Sequence, residues 1–161
     1  MLKKTLIFII LLMLLSGWFY LSEGDLIQSK EGGFLLEGME DYQLELKTDA
    51  SRYSPGDPVA ASFIFINSSD EGMELSFNTS QTHELELFKE DELLWSWSEG
   101  RAFLMVITEK YLDPGEYLHQ VIVIPSQVTE DLSPGSYQLQ VKITCQPEAL
   151  TSERLEIEIA E

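Results

Sequence analysis

The chain has 161 residues, which is enough for one domain with a hydrophobic core but too few for two ordinary domains. It carries 28 acidic and 10 basic side chains, so its formal net charge is -18. Nucleic-acid recognition requires clustered lysine and arginine side chains that displace counterions from phosphates. The composition therefore excludes nucleic acid as a partner.

Residues 1–22 combine a basic start with a long apolar run. Two lysines precede the uninterrupted apolar residues 6–15, and aromatic residues follow at 18–20. This order is typical of an export signal. The aromatic residues favour a retained signal anchor, an N-terminal hydrophobic helix, whereas the small residues Ser22 and Gly24 suit a cleaved signal peptide. The segment thus predicts either a single-pass protein of the cell membrane, with the membrane as a partner and the domain extracytoplasmic, or a secreted protein.

Residues 23–39 are rich in glycine and charge and show no persistent period, which indicates a stalk or linker. From residue 40 onward, apolar and polar residues alternate with period two, as in half-buried strands. Tyr42, Leu44 and Leu46, for example, alternate with polar residues. We therefore predict one β-domain over residues 40–161.

Eight or nine short strands are predicted along this domain. Pro-Gly turns at residues 54–57, 113–116 and 133–136 separate several of them. No amphipathic helix pattern lies between the strands, so a parallel sheet with crossover helices is excluded. The pattern predicts an all-β fold, an antiparallel β-sandwich.

Tyr137 lies just after a Pro-Gly turn, at the start of the penultimate predicted strand. Immunoglobulin-like sandwiches place a tyrosine corner at this position, where the hydroxyl group binds nearby backbone. We predict a structural role for Tyr137.

Two of the three tryptophans lie two residues apart, ahead of a charged turn. In a strand this spacing puts Trp95 and Trp97 on one face, and we predict that they pack in the core, with Phe103 as a further structural residue. Residues 101–108 are consistent with an extended segment or a short helix, and the β-forming residues Phe103, Val106 and Ile107 favour the extended segment. The turn itself is the predicted partner-binding loop, formed by Ser98, Glu99, Gly100 and Arg101.

No arrangement of residues points to catalysis. The chain has two histidines, His83 and His119, but no Gly-x-Ser-x-Gly nucleophile motif and no phosphate-binding glycine-rich loop. Metal-ligand spacing is also missing from the sequence. We predict that the protein is not an enzyme, and that it has no catalytic residues, no metal site and no cofactor.

Five segments follow one another with the order and spacing of a known family. They are residues 67–70, 75–81, 94–103, 112–116 and 134–137, and the block Trp95-Ser96-Trp97-Ser98 contributes most. In these segments the chain resembles the BsuPI family of intracellular proteinase inhibitors, over residues 59–141. The resemblance implies an immunoglobulin-like sandwich and inhibition of a serine protease.

Two main functions are consistent with the sequence, and ligand binding by the aromatic strand of Trp95 and Trp97 is a weaker third. The first is an extracytoplasmic protein-binding domain that inhibits a proteinase, as the resemblance implies. The second is a non-inhibitory structural or assembly module of the cell envelope, whose acidic surface contacts cell-wall cations or a membrane complex.

Overall fold

Alternation of apolar and polar residues produces eleven strands and one short helix in residues 41–160, the part of the chain that the computed structural model describes. In chain order these elements are β1 (Tyr42–Thr48), β2 (Arg52–Tyr53), β3 (Val59–Asn67), β4 (Met73–Phe77), β5 (His83–Lys89), β6 (Glu92–Ser96), β7 (Thr108–Leu112), β8 (Tyr117–Ile124), α1 (Ser126–Glu130), β9 (Gly135–Ile143), β10 (Leu150–Thr151) and β11 (Leu155–Ile159).

The predicted N-terminal hydrophobic helix, with its signal anchor or signal peptide over residues 1–22, lies outside the described residues, as does the linker over residues 23–39. Among residues 41–160, none of the helices has the length and apolar character needed to cross a membrane.

The strands form three sheets. One has the order β1-β3-β8, and a second has the order β2-β11-β9-β5-β6, with β10 beside β9. The third pairs β4 with β7. Every pairing is antiparallel except that of β11 with β2. The predicted all-β fold is therefore confirmed.

One hydrophobic core joins buried side chains from all three sheets. On β9 the buried residues recur at every second position, from Tyr137 through Leu139 and Val141, and on β3 they include Phe63 and Phe65. All of these side chains belong to a single cluster. Period two in the sequence therefore becomes one buried face on each sheet.

Two Pro-Gly turns have the geometry that their sequences predict. The Asp57 amide donates to the Ser54 carbonyl at 3.0 Å, and the Glu116 amide donates to the Asp113 carbonyl at 2.9 Å. The third residue of the second turn, Gly115, has φ +78°, which only glycine adopts without strain. These turns set where the neighbouring strands start.

The strand β3 is less covered than its apolar sequence predicts. It is the central strand of its sheet, but its second face, with Ile64 and Ile66, is only half-buried. The neighbouring β8 leaves Val121 and Val123 exposed on that side. The apolar sequence of residues 59–66 predicts a central strand covered on both faces, whereas in the described chain the second face is only partly covered.

Tyr137 fastens the start of β9 to the preceding turn, so removing its hydroxyl group tests this contact. The Oη atom donates to the Ser133 carbonyl at 2.7 Å, and the side chain is 1% exposed. We expect Tyr137→Phe to lower the free energy of unfolding by about 1 kcal/mol, measured by urea denaturation. The control is Tyr111→Phe, whose side chain is exposed and which should change little. Equal stability of the two variants would contradict this role for Tyr137.

Candidate functional site

The predicted partner-binding turn is a hydrogen-bonded turn that follows β6. The Arg101 amide donates to the Ser98 carbonyl at 3.0 Å. Gly100 has φ +72°, the conformation that a type II turn needs at its third position. Ser98 is half-buried, whereas Glu99, Gly100 and Arg101 are exposed. The turn therefore presents its last three residues to solvent.

A buried carboxylate holds this turn in place. Glu84 is 8% exposed, and its Oε1 atom accepts hydrogen bonds from the Ser98 amide at 2.9 Å and the Leu85 amide at 3.1 Å. Its Oε2 atom accepts one from Gln81 Nε2 at 3.0 Å. Sequence alternation placed Glu84 among the polar residues of its strand, with nothing to mark it as a support. The pairing of β6 with β5 brings Ser98 beside Glu84, and only this contact identifies the role of Glu84.

The two tryptophans both pack against the core, Trp95 within β6 and Trp97 just past its end. Trp95 lies opposite Leu87 in the pairing of β5 with β6, and both indoles pack against the core while remaining half-buried. Trp97 lies just past the end of β6. Its amide still donates to the Leu85 carbonyl, at 2.9 Å, so the pairing continues to this residue. Both tryptophans therefore belong to the same packed edge of the domain.

Trp97 is the centre of an aromatic cluster, formed with His83, Phe63 and Phe103. The indole lies 4.6 Å from the His83 ring and 5.9 Å from the Phe103 ring, between centroids, and His83 in turn contacts Phe63. The Arg101 guanidinium lies 4.4 Å from the indole centroid, and Arg101 Nε donates to the Trp97 carbonyl at 2.7 Å. This cation-π contact fixes the side chain of Arg101 on the domain surface.

An exposed apolar segment follows the aromatic cluster. We call residues 104–107 (Leu104, Met105, Val106 and Ile107) the apolar loop. Their side chains are 72%, 87%, 48% and 70% exposed. The sequence predicts an extended segment here, and no regular strand or helix forms before β7 starts at Thr108. A contiguous exposed apolar surface of this kind marks an interaction site.

The backbone of the apolar loop is fastened at its start. The Leu104 amide donates to Ser80 Oγ at 2.9 Å, and the Leu104 carbonyl accepts from the Ser80 amide at 2.9 Å. The same carbonyl accepts from the Val106 amide at 3.0 Å, which makes Met105 the centre of a γ-turn. Glu90 is the one non-glycine residue with positive φ in the described chain, so this turn is of the unstrained inverse type. The loop therefore projects from a defined base.

The remaining predicted residues lie away from this site. Tyr137 is buried at the start of β9, and His119 is exposed on β8, opposite Ile64. Among residues 41–160 there is no cluster of three or more histidine, cysteine or acidic side chains that could hold a metal ion.

A fastened loop of exposed apolar residues on a β-scaffold is typical of a protein-binding domain. The sequence model of one family, described as "BsuPI: Intracellular proteinase inhibitor", matches residues 46–148. The chain belongs to this family, and the resemblance seen in the sequence is confirmed. The matched region includes both the turn and the apolar loop. Membership of an inhibitor family is consistent with a protein partner and with the absence of enzyme activity, and it does not favour the envelope module.

A solved structure of low sequence identity shares the fold. Spo0M, a sporulation control protein from Bacillus subtilis, is 12% identical with a TM-score of 0.51, and the match covers 76% of this chain and 51% of that chain. The chain thus spans about half the length of Spo0M, and the match shows a shared fold only. No curated protein matches the sequence.

Two weaker matches carry no weight for fold or function. The C-terminal domain of wzt is 11% identical with a TM-score of 0.48, covering 77% of this chain and 76% of that chain. A β-glucosidase from Listeria innocua is 17% identical with a TM-score of 0.40, covering 77% and 17% respectively.

The predicted location is wrong. The sequence predicted a single-pass protein of the cell membrane with an extracytoplasmic domain, or a secreted protein. The family to which the chain belongs is described as one of intracellular proteinase inhibitors, which contradicts both alternatives. The prediction depended on the apolar run in residues 1–22, and a run of apolar residues does not by itself distinguish export from other roles.

Removing the support of the turn tests the role of Glu84. We expect Glu84→Ala to lower the free energy of unfolding by about 1–3 kcal/mol, because the buried amides of Ser98 and Leu85 lose their acceptor. Glu84→Gln keeps one acceptor oxygen and should lose less. Glu74→Ala, at an exposed position of β4, is the matched control. Equal losses of unfolding free energy in Glu84→Ala and Glu74→Ala would contradict the supporting role of Glu84.

The aromatic cluster makes stability depend on pH. Burial lowers the pKa of His83 below its ordinary value of 6.5. The unfolded chain therefore binds a proton at higher pH than the native protein does, and stability falls as the pH decreases through 6.5 towards the native pKa. We expect wild type to lose more stability than His83→Gln between about pH 7.5 and about pH 5.5, measured by urea denaturation. His119→Gln is the control, and equal losses in wild type and His83→Gln would contradict the assignment.

Proposed function

We propose that the protein inhibits an endoprotease by placing the apolar loop, flanked by the turn of residues 98–101, in the active-site cleft of the enzyme. The observation that carries this proposal is the apolar loop itself. Four consecutive apolar side chains are exposed on a backbone that Ser80 fastens through two hydrogen bonds. Exposing such a run does not stabilise the fold of a domain. Contiguous exposed apolar surface marks interaction sites, so we assign this run to binding.

The free energies of side-chain burial and of association favour contact by all four residues of the apolar loop. Complete burial of one Leu, Ile or Met side chain contributes about 1.5–3 kcal/mol. Bringing two proteins together costs at least about 4 kcal/mol in translational and rotational freedom. One side chain therefore cannot offset that cost, whereas four buried together can. Fastening the loop before binding reduces the further cost of ordering it.

The turn of residues 98–101 completes this surface. Arg101 lies over Trp97, and Phe103 packs on the same indole, so turn and loop start from one aromatic cluster. Glu99 and Arg101 are the charged residues beside a loop that has none. Protein interfaces commonly surround an apolar centre with a polar rim, which is the role we assign to Ser98, Glu99, Gly100 and Arg101.

We further propose a serine protease as the target and an immunoglobulin-like sandwich as the scaffold. The hydrogen bond from Tyr137 to the Ser133 carbonyl supports the scaffold assignment, because the tyrosine corner of such sandwiches makes this contact. The inhibitor domain is assigned to residues 40–161, which agrees with the compact unit Glu40–Glu161. Inhibition occurs by non-covalent occupation of the cleft.

Inhibition assays with the full chain test the proposed function. We expect it to block hydrolysis of small peptide substrates by at least one member of a panel of subtilisin-like and chymotrypsin-like proteases. The double variant Leu104→Ser/Ile107→Ser should raise the inhibition constant by about 10-fold to 1,000-fold, because two exposed apolar contacts are lost.

The control for this experiment is Val121→Ser/Val123→Ser. These two valines are as exposed as part of the apolar loop but lie on β8. The control should inhibit like wild type. Absence of inhibition across the panel would remove the proposed function. Equal inhibition by the loop variant and wild type would place the contact elsewhere on the domain.

A further inference from the structure

We propose that Met105 occupies the primary specificity pocket of the target, the S1 pocket, and that the target is therefore an endoprotease whose pocket is deep and apolar. This inference rests on the proposed function and narrows it to one residue and one class of enzyme. It is carried by the exposure of Met105 and by the hydrogen bonds of the backbone around it.

Exposure singles out Met105 within the apolar loop. Its side chain is 87% exposed, the largest value for any large apolar residue in the described part of the chain. It lies at the centre of the γ-turn that the Val106 amide closes onto the Leu104 carbonyl. The apex of a turn is the part of a loop that enters a concave site first. Met105 is therefore the side chain best placed to reach the bottom of a pocket.

The backbone hydrogen bonds of Leu104 and Val106 exclude these two neighbours of Met105 as the residue in the S1 pocket. A serine protease holds the residue in its S1 pocket partly through the main chain, because the carbonyl oxygen enters the oxyanion hole. The amide and carbonyl of Leu104 are both bonded to Ser80, and the amide of Val106 is bonded to Leu104. Within residues 41–160, no hydrogen bond uses the amide or the carbonyl of Met105. Met105 alone in the γ-turn combines a projecting side chain with an unbonded main chain.

Side-chain chemistry then defines the pocket. Methionine is unbranched and flexible, so it fits a narrow pocket that the β-branched Val106 and Ile107 would enter poorly. It brings no charge to pair with the aspartate at the base of a trypsin-like pocket, and desolvating that aspartate unpaired would be costly. A hydrophobic pocket, as in chymotrypsin, is the complementary site.

Substituting Met105 should change which protease the protein inhibits. We compare wild type, Met105→Lys and Met105→Leu as full chains against chymotrypsin, subtilisin and trypsin. Wild type and Met105→Leu should inhibit a protease with an apolar pocket within about 10-fold of one another, because leucine conserves the volume of methionine. Met105→Lys should lose that inhibition by about 100-fold or more and gain inhibition of trypsin, whose pocket holds an aspartate.

Leu104→Lys is the matched control. It adds the same charge at an exposed neighbouring position, so it should weaken inhibition without redirecting it to trypsin. Circular dichroism should show all variants folded, since the changed side chains are mostly exposed.

The outcomes separate the two proposals. If wild type inhibits but Met105→Lys is not redirected, or if Leu104→Lys is redirected in its place, the assignment of Met105 is overturned while the inhibitory function stands. If neither wild type nor any variant inhibits any of the proteases, the proposed function falls and the assignment falls with it.

Discussion

The packing of Trp97 connects the core of this domain to its exposed end. The indole packs against the core and also contacts His83, Phe103 and Arg101. Its amide continues the pairing of β6 with β5, and its carbonyl holds Arg101. Arg101, the last residue of the turn, and Phe103, which precedes the apolar loop, thus both contact one half-buried side chain. A large aromatic residue suits this position because it gives extensive contact with few rotatable bonds.

The apolar loop is an exception to the character of the chain. The sequence carries a net charge of -18, yet residues 102–108 contain no charged side chain. A strongly acidic surface keeps the protein soluble while this one segment remains free to bind apolar surface. Two hydrogen bonds to Ser80 hold the loop at Leu104, so binding does not have to order a flexible chain. We therefore assign solubility and binding to different parts of the sequence.

Sequence periodicity and turn residues are sufficient to predict the all-β scaffold. The alternation on β9 and the Pro-Gly turns at Gly56 and Gly115 reflect local rules, burial on one face and positive φ, that need no knowledge of distant residues. The supports of the site depend on pairing between segments. Glu84 supports the turn only because the fold brings Ser98 beside it, and Ser80 holds the apolar loop only because the fold brings Leu104 beside it. The β-forming residues of the apolar loop predict an extended segment, and only the fold shows that this segment has no strand partner.

The most direct measurement of the central claim is methyl NMR of the full chain with ¹³C-labelled methionine, recorded with and without the inhibited protease in catalytically inactive form. The methyl resonance of Met105 should shift or broaden at one equivalent of protease, since its surroundings change from solvent to a pocket. The resonance of Met73, which packs against the core, should not change. A complex that forms while the Met105 resonance stays at its free position would contradict insertion of the apolar loop.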